Sequence, residues 1–134
     1  MIGPVELVLY ASSSARDTDF TAKLVDVAPD GTAVNLADGI LRARYRDSLS
    51  EPTLLEPDQV YQLRIDLVAT ANVFAAGHRV RLDVSSSNFP RFDRNTNTGG
   101  TIAAEGIDDV VQAVNRVHHT TAHPSRLVLP VIMH

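Results

Sequence analysis

Two stretches of the chain alternate strictly between apolar and polar residues. They lie at residues 60–69 and 79–85. Gln62, Arg64 and Asp66 are the polar positions of the first, and arginine and aspartate fill those of the second. A period of two is typical of a strand with one face buried and the other exposed. We therefore predict two strands whose apolar residues lie in the core. These core residues are Leu63, Ile65, Leu67, Val80, Leu82 and Val84.

Two further strands are predicted near the start of the chain, at residues 5–13 and 20–27, where apolar residues predominate. Pro29, Asp30 and Gly31 follow the second of these strands. Proline restricts φ and glycine tolerates positive φ, so the three residues favour a tight turn. Residues 20–36 are therefore predicted to form a hairpin.

The segment 42–46 also alternates, with Arg42, Arg44 and Arg46 at every second position. A strand here would place the three arginines on one face. We expect that face to be solvated, as arginine usually is. The alternative is an ion-paired face against another domain.

The rest of the chain contains loops and two final strands. The proline-containing stretch 48–57 is predicted to be a loop, and residues 88–100 form a second, longer one without hydrophobic periodicity. Strands are predicted at residues 110–121 and 126–132. About seven short strands separated by glycine and proline turns indicate an all-β protein, most simply a β-sandwich.

Composition narrows the class of protein. The chain has 134 residues, which favours one domain, and its 12 basic and 16 acidic residues give a net charge of −4. This mild acidity argues against nucleic acid or an anionic membrane as the main partner. The absence of cysteine excludes disulfides, thiolate zinc sites and cysteine nucleophiles. No signal peptide is recognisable in this segment, which slightly favours the cytoplasm.

The sequence lacks the motifs of a serine hydrolase. No Gly-x-Ser-x-Gly nucleophile elbow is present. The serine clusters at residues 12–14 and 85–87 follow predicted strands, so we expect them to bind the adjoining turns.

The sequence gives similarly little support for a metal site. Adjacent His118 and His119 would point to opposite faces of a strand, so only one of them can pair with His123. The stretch 93–97 imitates the start of a calcium loop, but that loop's glycine and glutamate are replaced by threonine and alanine. Asp17 and Asp19 could bind a cation, although capping a turn is the favoured interpretation. We expect neither a metal nor a cofactor.

Several segments together resemble a known family. They are residues 3–5 (GPV), 13–24 (SSARDTDFTAKL), 42–46 (RARYR), 77–79 (GHR), 85–100 (SSSNFPRFDRNTNTGG) and 123–130 (HPSRLVLP). In this order they resemble the C-terminal domain of the X-Pro dipeptidyl-peptidase-like and cocaine esterase (CocE/NonD) hydrolases. The resemblance implies a jelly-roll β-sandwich, galactose-binding-like in fold. It also implies that the Ser-His-Asp machinery belongs to a separate α/β-hydrolase domain, and no residue here matches that machinery.

The resemblance leads to a functional expectation. Residues 1–134 would be one C-terminal jelly-roll domain of a larger hydrolase whose catalytic domain is absent from this chain. The domain would pack on its catalytic partner and shape the entrance of the active site of an enzyme acting on esters or on aminoacyl and X-Pro bonds. The alternative is a free-standing module that binds carbohydrate or protein; an intact enzyme is disfavoured by the missing nucleophile.

The long loop supplies the candidate interdomain contact, because a solvated loop has little reason to hold two phenylalanines. The candidate residues are Phe89, Pro90, Arg91, Phe92, Arg94, Asn95 and Asn97. A domain separated from its partner also exposes strand edges. We therefore expect the chain to form a homo-oligomer, with a dimer as the first expectation.

Overall fold

The computed structural model describes residues 2–87, 95–106 and 109–131, and these fold into strands and two short 3₁₀ turns. The strands are β1 (Ile2–Ser13), β2 (Asp19–Val27), β3 (Ala33–Arg42), β4 (Tyr61–Ala71), β5 (Arg79–Ser85), β6 (Asn115–Val117) and β7 (Arg126–Val128). The 3₁₀ turns are Ala43–Tyr45 and Ile102–Ala104. Among the residues described, no helix has both the length and the apolar character that crossing a bilayer requires.

The strands form two antiparallel sheets packed face to face. In the first sheet, β1 pairs with β4 on one side and with both β6 and β7 on the other. The second sheet has the order β3-β2-β5. The predicted all-β class and the jelly-roll β-sandwich, galactose-binding-like in fold, are confirmed.

The core lies between β1 and β4 of the first sheet and β2 of the second. Its fully buried members are Val5, Leu7, Leu9, Ala11, Phe20, Ala22, Leu24, Leu63, Ile65 and Leu67. The predicted burial of the three β4 residues is confirmed, while Arg64 and Asp66 between them are exposed. Burying side chains of this size contributes roughly 1.5–3 kcal/mol each before entropy is counted.

One side of the sandwich is closed by a close approach of β3 to β4. Gly39 lies on β3, and a Cβ atom placed on it would be only 2.3 Å from the backbone oxygen of Asp66. The same atom would lie 3.2 Å from a methyl group of Ile65. Only glycine fits this contact, which joins the edges of the two sheets.

The opposite side of the sandwich, between β5 and the β6–β7 edge, is open. A cavity of about 420 Å³ lies there, and its walls include Leu82, Val84, Val117 and Leu127. The prediction that Val80 is buried is wrong, because 48% of it is exposed. Leu82 and Val84 are only half-buried. The alternation along β5 was correct, but the first sheet does not extend far enough to cover this strand.

The predicted hairpin at residues 20–36 is confirmed, and its second strand continues to Arg42. The Gly31 amide donates to the Ala28 oxygen, and Gly31 adopts a φ of +90°. Thr32 donates its backbone N–H to Asp30 Oδ1 at 2.9 Å. This hydrogen bond is the main reason that the pKa of Asp30 lies below its ordinary value.

The last two strands are shorter than predicted, with three residues each. The connection between them packs on the first sheet through side chains instead of continuing the ladder. Ser125 Oγ accepts from the Tyr10 amide at 2.9 Å and donates to the His118 oxygen at 2.6 Å. These bonds occupy β1 backbone positions that a longer β6 or β7 would pair with.

Replacing Gly39 should destabilise the sandwich. We expect Gly39→Ala to lower the free energy of unfolding by about 2 kcal/mol or more, because the added methyl group must displace the β4 backbone. Urea denaturation followed by circular dichroism measures the change. Gly106→Ala is the control, since no atom in the described part of the chain lies within 4 Å of the added Cβ; equal losses in the two variants would contradict the close approach.

The hairpin turn should lose stability in acid. Because the folded-state pKa of Asp30 is lowered from its ordinary value of 3.8, ionised Asp30 stabilises the fold above that pH. The contribution disappears as the pH falls through the lowered folded-state value. The stability difference between the wild type and Asp30→Asn should therefore be constant near neutral pH and shrink below about pH 4. A difference independent of pH would exclude this role.

Candidate interdomain contact site

Three connections between strands meet at one end of the sandwich, and they include the two longest between the described strands. They are residues 14–18 between β1 and β2, 43–60 between β3 and β4, and 86–114 between β5 and β6. We call this the long-loop end. The opposite end carries only the connections 28–32 and 72–78. In compact domains, long loops of this kind usually carry function or an interface.

A buried pair of carboxylates lies at the base of the long-loop end. Asp17 and Asp19 are 0% and 1% exposed. Arg44 Nε donates to Asp17 Oδ2 at 2.6 Å. Arg42 binds Asp19 in a bidentate manner, from Nε at 2.9 Å and from Nη2 at 3.1 Å. Buried carboxylates need such partners, because removing an unpaired charge from water costs several kcal/mol.

Asn95 joins the third loop to this carboxylate pair. Its Nδ2 donates to Asp17 Oδ2 at 2.8 Å and to Asp19 Oδ1 at 2.9 Å. Its Oδ1 accepts the Asn97 amide at 2.9 Å, which forms an Asx turn. One set of buried polar contacts therefore holds all three loops together.

The predicted strand with three solvated arginines is wrong. β3 ends at Arg42 and a 3₁₀ turn follows, since the Arg44 amide donates to Asp17 Oδ1 at 2.9 Å. The side chains of Arg44 and Arg46 are only 10% and 8% exposed. Arg46 lies over the Tyr61 ring, 4.5 Å from its centroid. Arg42 and Arg44 do form ion pairs, as the alternative predicted. Their partners, however, lie within this domain and not in another domain.

Asp17 and Asp19 both bind groups of this domain. Asp17 holds the turn at residues 43–45 through the Arg44 amide, as the capping interpretation requires. The positive charges beside both carboxylates are guanidinium groups of the chain itself.

A second set of contacts orders the loop that follows Asn95. Thr96 Oγ1 and Thr98 Oγ1 both donate to the Glu105 carboxylate at 2.8 Å. Asn97 Nδ2 donates to the Val111 oxygen at 2.9 Å. These bonds attach residues 95–98 to the segment that leads into β6.

The structure describes only part of the predicted contact. Phe89, Pro90, Arg91, Phe92 and Arg94 lie outside the described residues. Asn95 is 8% exposed and its side chain binds within the domain, while Asn97 is half-buried. The proposed role of this loop in docking stays a prediction.

Sequence reasoning missed an apolar surface beside these loops. Val110, Val111 and Val114 are 46%, 45% and 56% exposed, and we call them the valine patch. The segment was predicted to be a strand, which obscured the patch. The spacing of these residues argued against a strand, because three valines among five residues do not follow a period of two.

The serine clusters bind neighbouring loops, as expected. Ser13 Oγ accepts the amide two residues later at 3.1 Å, and Ser14 Oγ accepts the Val114 amide at 2.8 Å. In the second cluster, the Ser85 and Thr21 hydroxyls lie 2.6 Å apart. The contact with Thr21 joins β5 to β2, and Ser85 Oγ also donates to the Ser87 oxygen at 3.1 Å in the turn that follows β5.

The histidines separate as the sequence predicted. The ring centroids of His118 and His123 are 5.7 Å apart, whereas His119 lines the cavity at the open side. His118 Nε2 lies 3.1 Å from Ser12 Oγ, and Ser12 is only 6% exposed. In the described part of the chain, no three histidine or acidic side chains group together as a metal site would require.

Breaking the buried pair should cost much of the domain's stability. We expect Asp17→Asn to lower the free energy of unfolding by about 3 kcal/mol, since Arg44 then stays buried without its carboxylate. Chemical denaturation measures the loss. Glu6→Gln is the control: it removes the exposed Glu6–Arg64 pair, which should contribute less than about 1 kcal/mol. Similar small losses in both variants would refute the importance of the buried pair.

Comparisons with known proteins agree with this architecture. The family model of the X-Pro dipeptidyl-peptidase C-terminal non-catalytic domain matches residues 1–128. The chain is 58% identical to the cocaine esterase of Rhodococcus sp. (strain MB1 Bresler) over 130 residues, which cover 97% of this chain and 23% of that protein.

Solved structures give the same result. An α-amino acid ester hydrolase superposes with a TM-score of 0.92 at 33% identity, covering 98% of this chain and 24% of the other. An aminopeptidase from a marine sediment Thaumarchaeota archaeon gives 0.90 at 33% identity, covering 94% and 22%. The chain thus spans about a quarter of the length of these relatives. With its jelly-roll sandwich and this match over nearly its whole length, the chain belongs to the family of X-Pro dipeptidyl-peptidase C-terminal non-catalytic domains.

Proposed function

We propose that this chain is the accessory domain of a serine hydrolase and packs on an α/β-hydrolase catalytic domain through its long-loop end. There it helps to shape the entrance of the active site. Two relatives are, by name, an esterase and an ester hydrolase, and each is about four times as long as this chain. Ester or aminoacyl hydrolysis would be the activity of the complete protein, with the nucleophile supplied by the catalytic domain.

The valine patch is the observation that carries this proposal. Three half-exposed valines within five residues are unusual on the surface of an isolated domain and favour an interface. Interdomain contacts typically cover about 600–1,500 Å², so the patch would be one part of a larger surface.

The connection between β3 and β4 also carries exposed apolar residues. Leu49 and Leu54 are 87% and 36% exposed, and both lie in the connection between β3 and β4. Gly99 packs against Leu54, since a Cβ on Gly99 would lie 3.2 Å from a Leu54 methyl group. Apolar residues from two of the three long loops therefore flank the same polar network.

The network of Asp17, Asp19, Arg42, Arg44 and Asn95 supports the proposal in a second way. Side chains held in one arrangement before binding lose less conformational entropy on association. The network holds the loops in place without using the exposed valines, which leaves their apolar surface available for a partner.

The loop with the two phenylalanines remains part of the proposed contact. The residues that flank it, Ser87 and Asn95, both follow β5 at the long-loop end. We propose that Phe89, Pro90 and Phe92 contribute apolar area to the contact, and that Arg91 and Arg94 contribute hydrogen-bond donors. Asn97 already orients Val111 through its side-chain amide.

A chimera tests this role. In the Rhodococcus esterase, the matching 130 residues are replaced by this chain, and ester turnover is measured. We expect an active chimera in which Val111→Asp with Val114→Asp lowers kcat/KM about tenfold or more, because two carboxylates would be desolvated at the interface. The isolated chain should give no turnover.

The matched control carries the same substitutions at the opposite end of the sandwich. Val34 and Val73 are 55% and 84% exposed, and they lie next to the short connections. Val34→Asp with Val73→Asp should leave the chimera unchanged. If both double variants keep full activity and the same thermal midpoint, the long-loop end is not the docking surface.

A further inference from the structure

Aspartate is followed directly by glycine at two places in the chain, Asp30–Gly31 and Asp38–Gly39. This dipeptide is prone to rearrangement, because glycine has no side chain to hinder attack by its own backbone nitrogen on the preceding carboxyl group. The two copies lie in opposite environments. The first is in an exposed turn, and the second is in a paired strand.

The first dipeptide is open to rearrangement. Asp30 and Gly31 are both exposed, and Gly31 adopts a φ of +90°. Apart from its chain neighbours, no atom in the described part of the chain lies within 4 Å of a Cβ placed on Gly31. The Thr32 amide donates to Asp30 Oδ1 at 2.9 Å, which folds the side chain back along the peptide that contains the Gly31 nitrogen. A single backbone hydrogen bond, from that nitrogen to the Ala28 oxygen, must open for the attack.

The second dipeptide is protected by β3. Asp38 pairs with Lys23 and Gly39 with Ala22 in the ladder between β2 and β3. Gly39 is buried and approaches the β4 backbone at Asp66 closely. The attack requires rotation of the backbone between aspartate and glycine, and this rotation would break the ladder and drive β3 into β4. Reaction there therefore requires local opening of the strand.

We propose that Asp30 is a site of spontaneous isoaspartate formation in the folded chain, whereas Asp38 is protected from it. The Gly31 nitrogen attacks Asp30 Cγ and gives up its proton, water leaves, and a cyclic imide forms. A water molecule then opens the ring. If the main-chain carbonyl carbon is hydrolysed, Gly31 stays attached through Cγ and the residue is isoaspartate; hydrolysis at Cγ restores Asp30. The water lost in the first step is regained in the second, and nothing is oxidised or reduced.

The product differs from the original chain at the turn. The backbone gains a methylene group, and the former main-chain carboxyl group of Asp30 becomes a free carboxylate. Turn length sets the register of a hairpin, so the extra atom should weaken the pairing of β2 with β3 next to the turn. This turn lies at the end opposite the long-loop end. The modification therefore does not depend on the proposed accessory function.

Ageing of the wild-type chain at neutral pH tests the site. Trypsin releases residues 24–42, so both dipeptides lie on one peptide and tandem mass spectrometry compares them directly. We expect at least about tenfold more isoaspartate at Asp30 than at Asp38, because only the second requires opening of a strand. In urea-unfolded chain the two sites should react equally. Equal amounts in the folded chain, or none at Asp30, overturn the proposal.

Methylation gives an independent readout. Isoaspartyl methyltransferase transfers the methyl group of labelled S-adenosylmethionine to the free carboxylate of isoaspartate. The aged wild-type chain should accept label, and Asp30→Glu should accept almost none, because a longer side chain must close a larger ring. Label that persists in Asp30→Glu would show that the modified site lies elsewhere and would overturn the assignment.

Two asparagine variants form a matched pair. In Asp30→Asn and Asp38→Asn the same attack expels ammonia, so the intact mass rises by the difference between OH and NH₂. No asparagine of the chain itself precedes glycine. After circular dichroism has shown that both variants are folded, Asp30→Asn should lose its amide at least about ten times faster than Asp38→Asn. Equal rates in the two folded variants would refute the protection by β3.

Discussion

The buried ion pairs of Asp17 and Asp19 with Arg44 and Arg42 are the interaction on which the long-loop end of this domain depends. These charges come from the β1–β2 connection, the first residue of β2, the end of β3 and the β3–β4 connection. Asn95 brings in a third connection. The carboxylates cannot be solvated where they lie, so each loop is held by the requirement that they stay paired. Loops of this length would otherwise be the least ordered part of the fold.

The two sides of the sandwich differ for a simple steric reason. At Gly39 the absence of a side chain lets the β3 and β4 backbones approach, and the sheets close. On the other side, β5 faces only the three-residue strands β6 and β7, so its inner residues stay partly exposed.

The histidine and serine hydrogen bonds described above stabilise the fold. Ser12 and His118 are within hydrogen-bond distance, which superficially resembles part of a catalytic triad, but Ser12 is almost fully buried. A nucleophile must be reached by its substrate. The pair instead attaches the connection after β6 to the first sheet, as Ser125 does through Tyr10. This agrees with a family that its description calls non-catalytic.

Much of the fold could be predicted from the sequence, because local pattern and turn chemistry suffice for it. The alternation along β4, the turn at Pro29–Gly31 and the family motifs led to the correct class and to the buried Leu63, Ile65 and Leu67. Such signals depend on residues close in the chain, whose spacing determines which face each side chain occupies.

Tertiary structure decided the features that depend on residues far apart in the chain. Arg44 alternates like a strand residue, yet its partner Asp17 is 27 positions away and draws it into the interior. Val80 alternates like a core residue, yet no strand of the first sheet reaches far enough to cover it. The sequence by itself determined which face of a strand a residue occupies. Only the packing of the two sheets decided whether that face is buried, because burial depends on which distant parts of the chain pack against it.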